Sequence, residues 1–309
     1  MAFIKGFGAS VPARIVGNEE MARLTGATAS WILSVSGIEE RRFAAEETVA
    51  ELATAAARDC LERCQLAASS ISMVIVASGT AERQFPGPAL TIAHRLGLTG
   101  APALDLPIPS AGSLFALTLA SRLASGYGNI LVIGAEKMSP VVLRQPIEPG
   151  IAVLFGDGAG ACIVSADRGA AEILESAVYS DGAFAEDLSL SFNVPLQMNG
   201  RAVIMQASRK IPRVITEVLE RGRIAAADVD VFLMHQANQN LIDGVARALT
   251  VPCSRFFSNI RRYGNTSAAS MLLAAAEWSR TAGFRSGAPV VFAGFGAGFH
   301  WGALLARGV

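Results

Sequence analysis

The run SAGSLFALTLASRLASG, residues 110–126, is long enough for a helix and has almost no polar face. A helix apolar on nearly all sides must be buried all round. A second run of the same kind, SAASMLLAAAEWSRTAG, occupies residues 267–283. One such helix in each half of a chain requires covering layers on both sides, and the flanking sequence supplies them. Before the first run come a helix with apolar residues three and four apart (TVAELATAAARDCLERCQL, 48–66), a buried strand (ISMVIVASGT, 71–80), a helix (PALTIAHRLGL, 88–98) and a short strand (APALDLPIP, 101–109). The strand NILVIGAEK (129–137) follows it. The second half repeats the pattern, with helix RKIPRVITEVLERGRI (209–224), strand VDVFLMHQAN (229–238), helix QNLIDGVARALTV (239–251) and a closing hairpin APVVFAGFGAGFHWGALLAR (288–307). Strands alternating with helices give an α/β class. The halves meet near 165–175, dividing the chain into 1–168 and 169–309.

Of the 309 residues, 51% are hydrophobic and 17% charged, which implies a large core plus apolar surface that needs a partner. Each apolar run is interrupted before the roughly 18 residues a membrane span requires. The first twenty residues read as a strand and turn rather than a signal peptide. Twenty-six basic residues balance twenty-six acidic ones, so no basic field favours nucleic acid. Cys60 and Cys64 stand one helical turn apart. With only three histidines in the chain, they read as buried thiols rather than a metal site, which fits a reducing cytoplasm.

Three polar residues emerge from apolar surroundings at strand ends or helix starts. Ser110 opens the first buried helix, where the dipole and free N–H groups stabilise an oxyanion or activate a nucleophile; an ordinary N-cap is the alternative. His235 follows a buried strand, and Asn265 sits in the turn leading to the second buried helix. Alone, each has an unremarkable structural reading.

Their order and surroundings are similar to those of the β-ketoacyl-acyl-carrier-protein synthase III family of the thiolase superfamily. The resemblance spans nearly the whole chain, through WILSVSGIEERRFA (31–44), FPGPALTIAHRLGL (85–98), FGDGAGACIV (155–164), MNGRAVIMQASRKIP (198–212), HQANQNLI (235–242), YGNTSAAS (263–270) and FGAGFHWG (295–302). It implies a homodimeric thiolase fold, a duplicated half in a layered α-β-α-β-α arrangement, acting in fatty acid or polyketide biosynthesis. It also implies a Cys-His-Asn triad that takes an acyl group from a thioester and condenses it with a malonyl carrier protein. Carried over, His235 and Asn265 match the last two members, and Ser110 falls on the cysteine. The oxyanion hole would be the N–H groups of Ser110 and Ala297, with Trp31 at the donor site, Phe192 and Met205 at the acyl pocket, and Phe85 where the dimer partner contributes a residue to that pocket. No cofactor or metal is implied; acyl-coenzyme A or acyl carrier protein is substrate.

A serine at 110 needs a base, and His235 is the candidate for a dyad. Three arginines that hold coenzyme A in the family are replaced by Val35, Pro149 and Asn240, which implies either a carrier-protein donor or a different mode of coenzyme A binding. Arg209, Lys210 and Arg213, with Arg255, Arg261 and Arg262 near the site, form candidate docking patches. Three functional readings follow: a serine-dependent acyltransferase or condensing enzyme, an ordinary cysteine enzyme carrying a Cys→Ser exchange, and a non-catalytic thiolase-fold partner subunit.

Overall fold

A computed structural model describes residues 1–309. Its first half contains strands β1 (Ala2–Ser10), β2 (Ile71–Ala77), β3 (Ala103–Leu106), β4 (Asn129–Glu136) and β5 (Gly158–Ser165), with helices α1 (Val49–Arg63), α2 (Pro88–Arg95) and α3 (Gly112–Tyr127). The second half contains β6 (Ala171–Ser180), β7 (Val231–Met234), β8 (Phe256–Phe257), β9 (Pro289–Gly296) and β10 (His300–Gly308), with α4 (Gly200–Gly222), α5 (Gln239–Ala248) and α6 (Ser270–Thr281). Strand order is β1-β5-β4-β2-β3 in one half and β6-β10-β9-β7-β8 in the other, one topology used twice. The halves join where Ala2–Ile4 of β1 pairs with Ala171–Ile173 of β6.

Packing explains the continuous apolar strands. Helices α1 and α2 cover the outer face of the first half-sheet, and α4 and α5 that of the second. Between the half-sheets, Leu114, Leu117 and Ala120 of α3 meet Met271, Leu272 and Ala275 of α6 in one core with Ile75, Val132, Leu233 and Phe292. Strands covered on both faces need no polar alternation. The architecture is the layered, duplicated thiolase fold expected.

Two details differ from the sequence reading. Helix α4 starts at Gly200 rather than Arg209, because Asn199 caps it by accepting from the Ala202 N–H at 3.3 Å. Helix α3 is not buried all round: Leu119 is 42% exposed, so its apolar surface exceeds what this chain covers. No helix is long and apolar enough to cross a membrane.

Candidate active site

Two prolines, Pro107 and Pro109, end β3 and deliver the chain to Ser110, which has φ +60°. That left-handed conformation is uncommon for a non-glycine residue and turns strand into helix in one step. Gly296 of β9 permits the close approach, since a Cβ there would lie 2.4 Å from the Pro109 carbonyl oxygen and 2.9 Å from the Ser110 Cβ. The N-cap of α3 is Ala111, with no side-chain cap bond, so Ser110 is not the cap and the positive end of the helix lies uncovered beside it. The Ser110 N–H, expected in the oxyanion hole, instead donates to Ser267 Oγ at 2.9 Å. The two hydroxyl oxygens are 3.4 Å apart.

His235 sits just past β7, its N–H bonded to the Ala293 carbonyl at 2.8 Å. Its Nδ1 meets Ser270 Oγ at 2.5 Å, and that oxygen accepts the Gln236 N–H at 3.1 Å. Ser270 has no other acceptor, so its proton points to Nδ1 and leaves the imidazole hydrogen on Nε2. Burial pushes the imidazole down to about 3. No hydrogen bond joins His235 to Ser110, so the expected Ser110-His235 dyad is absent. Ser110 bonds to Ser267 instead, because the turns before α3 and α6 meet.

The low imidazole value has a stability consequence. Below pH ~6.5 the unfolded chain protonates this histidine, whereas the folded chain keeps it neutral down to about 3. The unfolded state therefore binds more protons in that window. This contribution is fully present above pH ~6.5 and falls by up to about 1.4 kcal/mol per unit of acidification. His235→Asn should lack that slope, so its urea-unfolding free energy gains on the wild type between pH 6.5 and 5. A constant difference between the two proteins would refute it.

Asn265 is anchored by its N–H to the Leu154 carbonyl (2.8 Å) and by its carbonyl to the Gly156 N–H (3.0 Å). A Cβ at Gly156 would lie 2.3 Å from the Tyr263 carbonyl oxygen, so the FGDG turn can nest there only as glycine. The Asn265 Oδ1 accepts the Ser267 N–H at 2.8 Å. The amide Nδ2 is left without a protein partner. Ser110, His235 and Asn265 all line one cavity of about 70 Å³, with Phe155, Leu188 and Ile204 among its apolar walls. A second cavity, about 60 Å³, is lined by Ser110 together with Met138, Leu190, Leu196 and Ala297. The turn bearing Ser110 thus lines two small, largely apolar chambers, one of which also carries the His235 and Asn265 side chains.

Known proteins share this arrangement of elements. Residues 104–182 match the family described as 3-oxoacyl-[acyl-carrier-protein (ACP)] synthase III. Residues 219–307 match its C-terminal region. A β-ketoacyl-[acyl-carrier-protein] synthase III of Oleidesulfovibrio alaskensis is 37% identical, the alignment covering 99% of this chain and 98% of that protein. The chain belongs to the β-ketoacyl-[acyl-carrier-protein] synthase III family. The crystal structure of the synthase III of Aquifex aeolicus superposes with a TM-score of 0.95 at 33% identity, covering 99% of this chain and 100% of that one. The priming β-ketosynthase of the R1128 polyketide pathway superposes at 0.91 with 30% identity, over 100% and 96% of the two chains. This synthase III family member is therefore a condensing-enzyme relative with an acyltransferase fold.

Phe192 and Met205, expected at the acyl pocket, are 76% and 52% exposed and line neither Ser110 cavity. Trp31, expected at the donor site, is 41% exposed, and Phe85, expected to reach the pocket of a dimer partner, is 85% exposed in this chain. Met205 faces out because its neighbours Val203 and Ile204 already take the cavity side of α4. Of the basic patch, Lys210 is withdrawn: its Nζ pairs with Asp181 at 3.0 Å and lies 3.9 Å from the Trp301 ring centre. Arg261 pairs with Glu39, Arg262 with Glu277 and Arg255 with Asp230. Arg209 and Arg213 remain exposed and unpaired on α4. Sequence reasoning passed over Ser267, Ser270 and Glu136. Its one available signal was an acid ending a strand, in NILVIGAEK.

Proposed function

We propose that the chain takes an acyl starter group from a thioester onto Ser110, where the family keeps its cysteine, and condenses it with a malonyl carrier protein. The observation that carries this reading is the shared cavity: a serine at φ +60° beside an uncapped helix start, faced by His235 and Asn265. With Nε2 protonated and Nδ2 unpartnered, those two side chains are donors. Donors suit the thioester carbonyl from which an enolate develops as carbon dioxide leaves. The Ala297 N–H makes no hydrogen bond in the protein and serves the acyl oxyanion. The acyl chain would enter the smaller chamber.

A carrier protein is the favoured donor. Asn240, in place of an arginine, is committed to the carbonyls of Ser34 and Val35 at 3.3 and 3.2 Å, so this position offers coenzyme A no cation. Arg209 and Arg213, one turn apart on the helix whose Gly200 and Ile204 line the cavity, suit an acidic carrier. Leu90, Leu104 and Leu119, with Phe85, form an exposed apolar face at the β3 edge, which supports a homodimer. The four unpaired cysteines fit a cytoplasmic setting.

Intact-mass analysis after exposure to acyl-coenzyme A and acyl-carrier donors tests this. An acyl adduct on wild type, mapped to Ser110 and absent from Ser110→Ala, is the expected result. No adduct from any donor would favour a non-catalytic subunit.

A further inference from the structure

The acyl transfer proposed above needs something to remove the Ser110 proton, and the imidazole is turned to the wrong task. Its Nδ1 is occupied by Ser270, and its Nε2 carries hydrogen. The side-chain group within hydrogen-bond distance of Ser110 Oγ is Ser267 Oγ, at 3.4 Å. Ser267 also has φ +49° and precedes α6 as Ser110 precedes α3, so the two turns face each other where the halves of the fold meet. Ser267 Oγ receives the Ser110 N–H at 2.9 Å and donates to Glu136 Oε1 at 2.9 Å.

Glu136 ends β4 with no exposed surface and no basic partner. Its carboxylate instead gathers the Gly79 N–H at 3.1 Å and the hydroxyls of Thr80 and Ser78. Burying an unpaired carboxylate is costly, and these donors offset the cost only in part. Burial accordingly pushes its carboxyl above the usual carboxylate value, against the pull of those donors.

Building on the acyl-transfer reading, we propose that Ser267 and Glu136 form the path by which Ser110 loses its proton. As Ser110 Oγ bonds to the thioester carbon, its proton passes to Ser267 Oγ, which gives its own proton to Glu136. When the tetrahedral adduct collapses, the C–S bond breaks. Ser267 then protonates the departing sulfur and recovers a proton from Glu136. The products are an oxygen ester on Ser110, a free thiol and the original carboxylate. Ser267 touches the nucleophile; Glu136 acts through it, positioning and polarising its hydroxyl.

The test follows acylation of the full-length protein by mass spectrometry, using whichever acetyl, butyryl or octanoyl thioester, on coenzyme A or on an acyl carrier protein, labels the wild type fastest. Ser267→Ala and Glu136→Gln should each slow labelling about 100-fold. Glu136→Gln should also remove the rise of rate with pH that accompanies ionisation of this carboxyl. Both losses should shrink at least about tenfold when combined with Ser110→Cys, because a thiolate needs no relay. Labelling within about threefold of wild type, or equal losses in the serine and cysteine backgrounds, overturns the relay and leaves only a structural tie. Should Glu136→Gln not fold, Ser267→Ala decides alone, since it leaves Glu136 its bonds to Thr80 and Gly79. A wild type that takes no label overturns the acyl-transfer reading itself, and the relay with it. Label in wild type that persists undiminished in the variants overturns the relay alone.

Discussion

Ser110→Cys is expected to accept an acyl group from a thioester about 100-fold faster than the wild-type serine near neutral pH. A hydroxyl at this position stays protonated until a base removes its hydrogen, and the barrier includes that transfer. A thiol has an ordinary pKa of about 8.5, lowered further at a helix N-terminus, so a useful fraction is already the nucleophilic thiolate. Here the first turn of α3 is uncapped, and no acidic side chain touches Ser110 directly. Stopped-flow or quenched-flow mass spectrometry of the two proteins with one donor measures the ratio. The variant should rise to its plateau below pH ~8.5, whereas the serine protein should follow its base. A Ser110→Cys protein that labels no faster than wild type would remove residue 110 from the nucleophile's role.

The second large effect concerns Gly134, near the end of β4. A Cβ there would lie 2.1 Å from the Ala268 carbonyl oxygen and 3.2 Å from the Ala269 Cα. Both are backbone atoms, so no flexible side chain can swing away. Strand β4 cannot retreat either, being hydrogen-bonded to β2 on one side and β5 on the other. Gly134→Ala is expected to cost about 3 kcal/mol in urea unfolding. It should also displace the 267–269 turn and with it both Ser267 and Asn265, so acyl transfer falls even in the folded fraction. Gly126 is the control. It lies near the end of α3 with nothing within 4 Å of a built Cβ, and Gly126→Ala should gain up to about 1 kcal/mol from helix propensity. Equal effects at the two positions would mean that the contact with Ala268 does not restrain the chain.

Gly134 and Gly296 illustrate what a sequence conceals. Both read locally as glycines near the ends of apolar strands. Their function is to let the opposite half come close: Gly134 admits the turn before α6, and Gly296 the turn before α3. The turns carrying Ser110 and Ser267 can therefore touch only because each half lacks a side chain at one point of its sheet. Arg41 is a comparable case. Within ERRF it reads as surface charge, yet it is fully buried, with Nη2 donating to the Val153 carbonyl at 2.7 Å and Nη1 to Asn18 at 2.8 Å, which braces the segment preceding Phe155.

By itself the sequence determined the α/β class, the doubled order of elements, the two central helices and the three turns that carry Ser110, His235 and Asn265. These are local properties, written in hydrophobic spacing and in the small and polar residues that end each run. The resemblance to a known family rests on the same local stretches. Only the tertiary structure decided which groups those turns bring into contact. Ser110 and Ser267 are 157 residues apart in the chain, and Ser267 and Glu136 are 131 apart. No periodicity relates such positions. Their contact follows from two half-sheets closing on one pair of helices, which places the entrances of α3 and α6 face to face. The same closure turned the His235 imidazole toward Ser270 and left Ser110 beside a buried carboxylate.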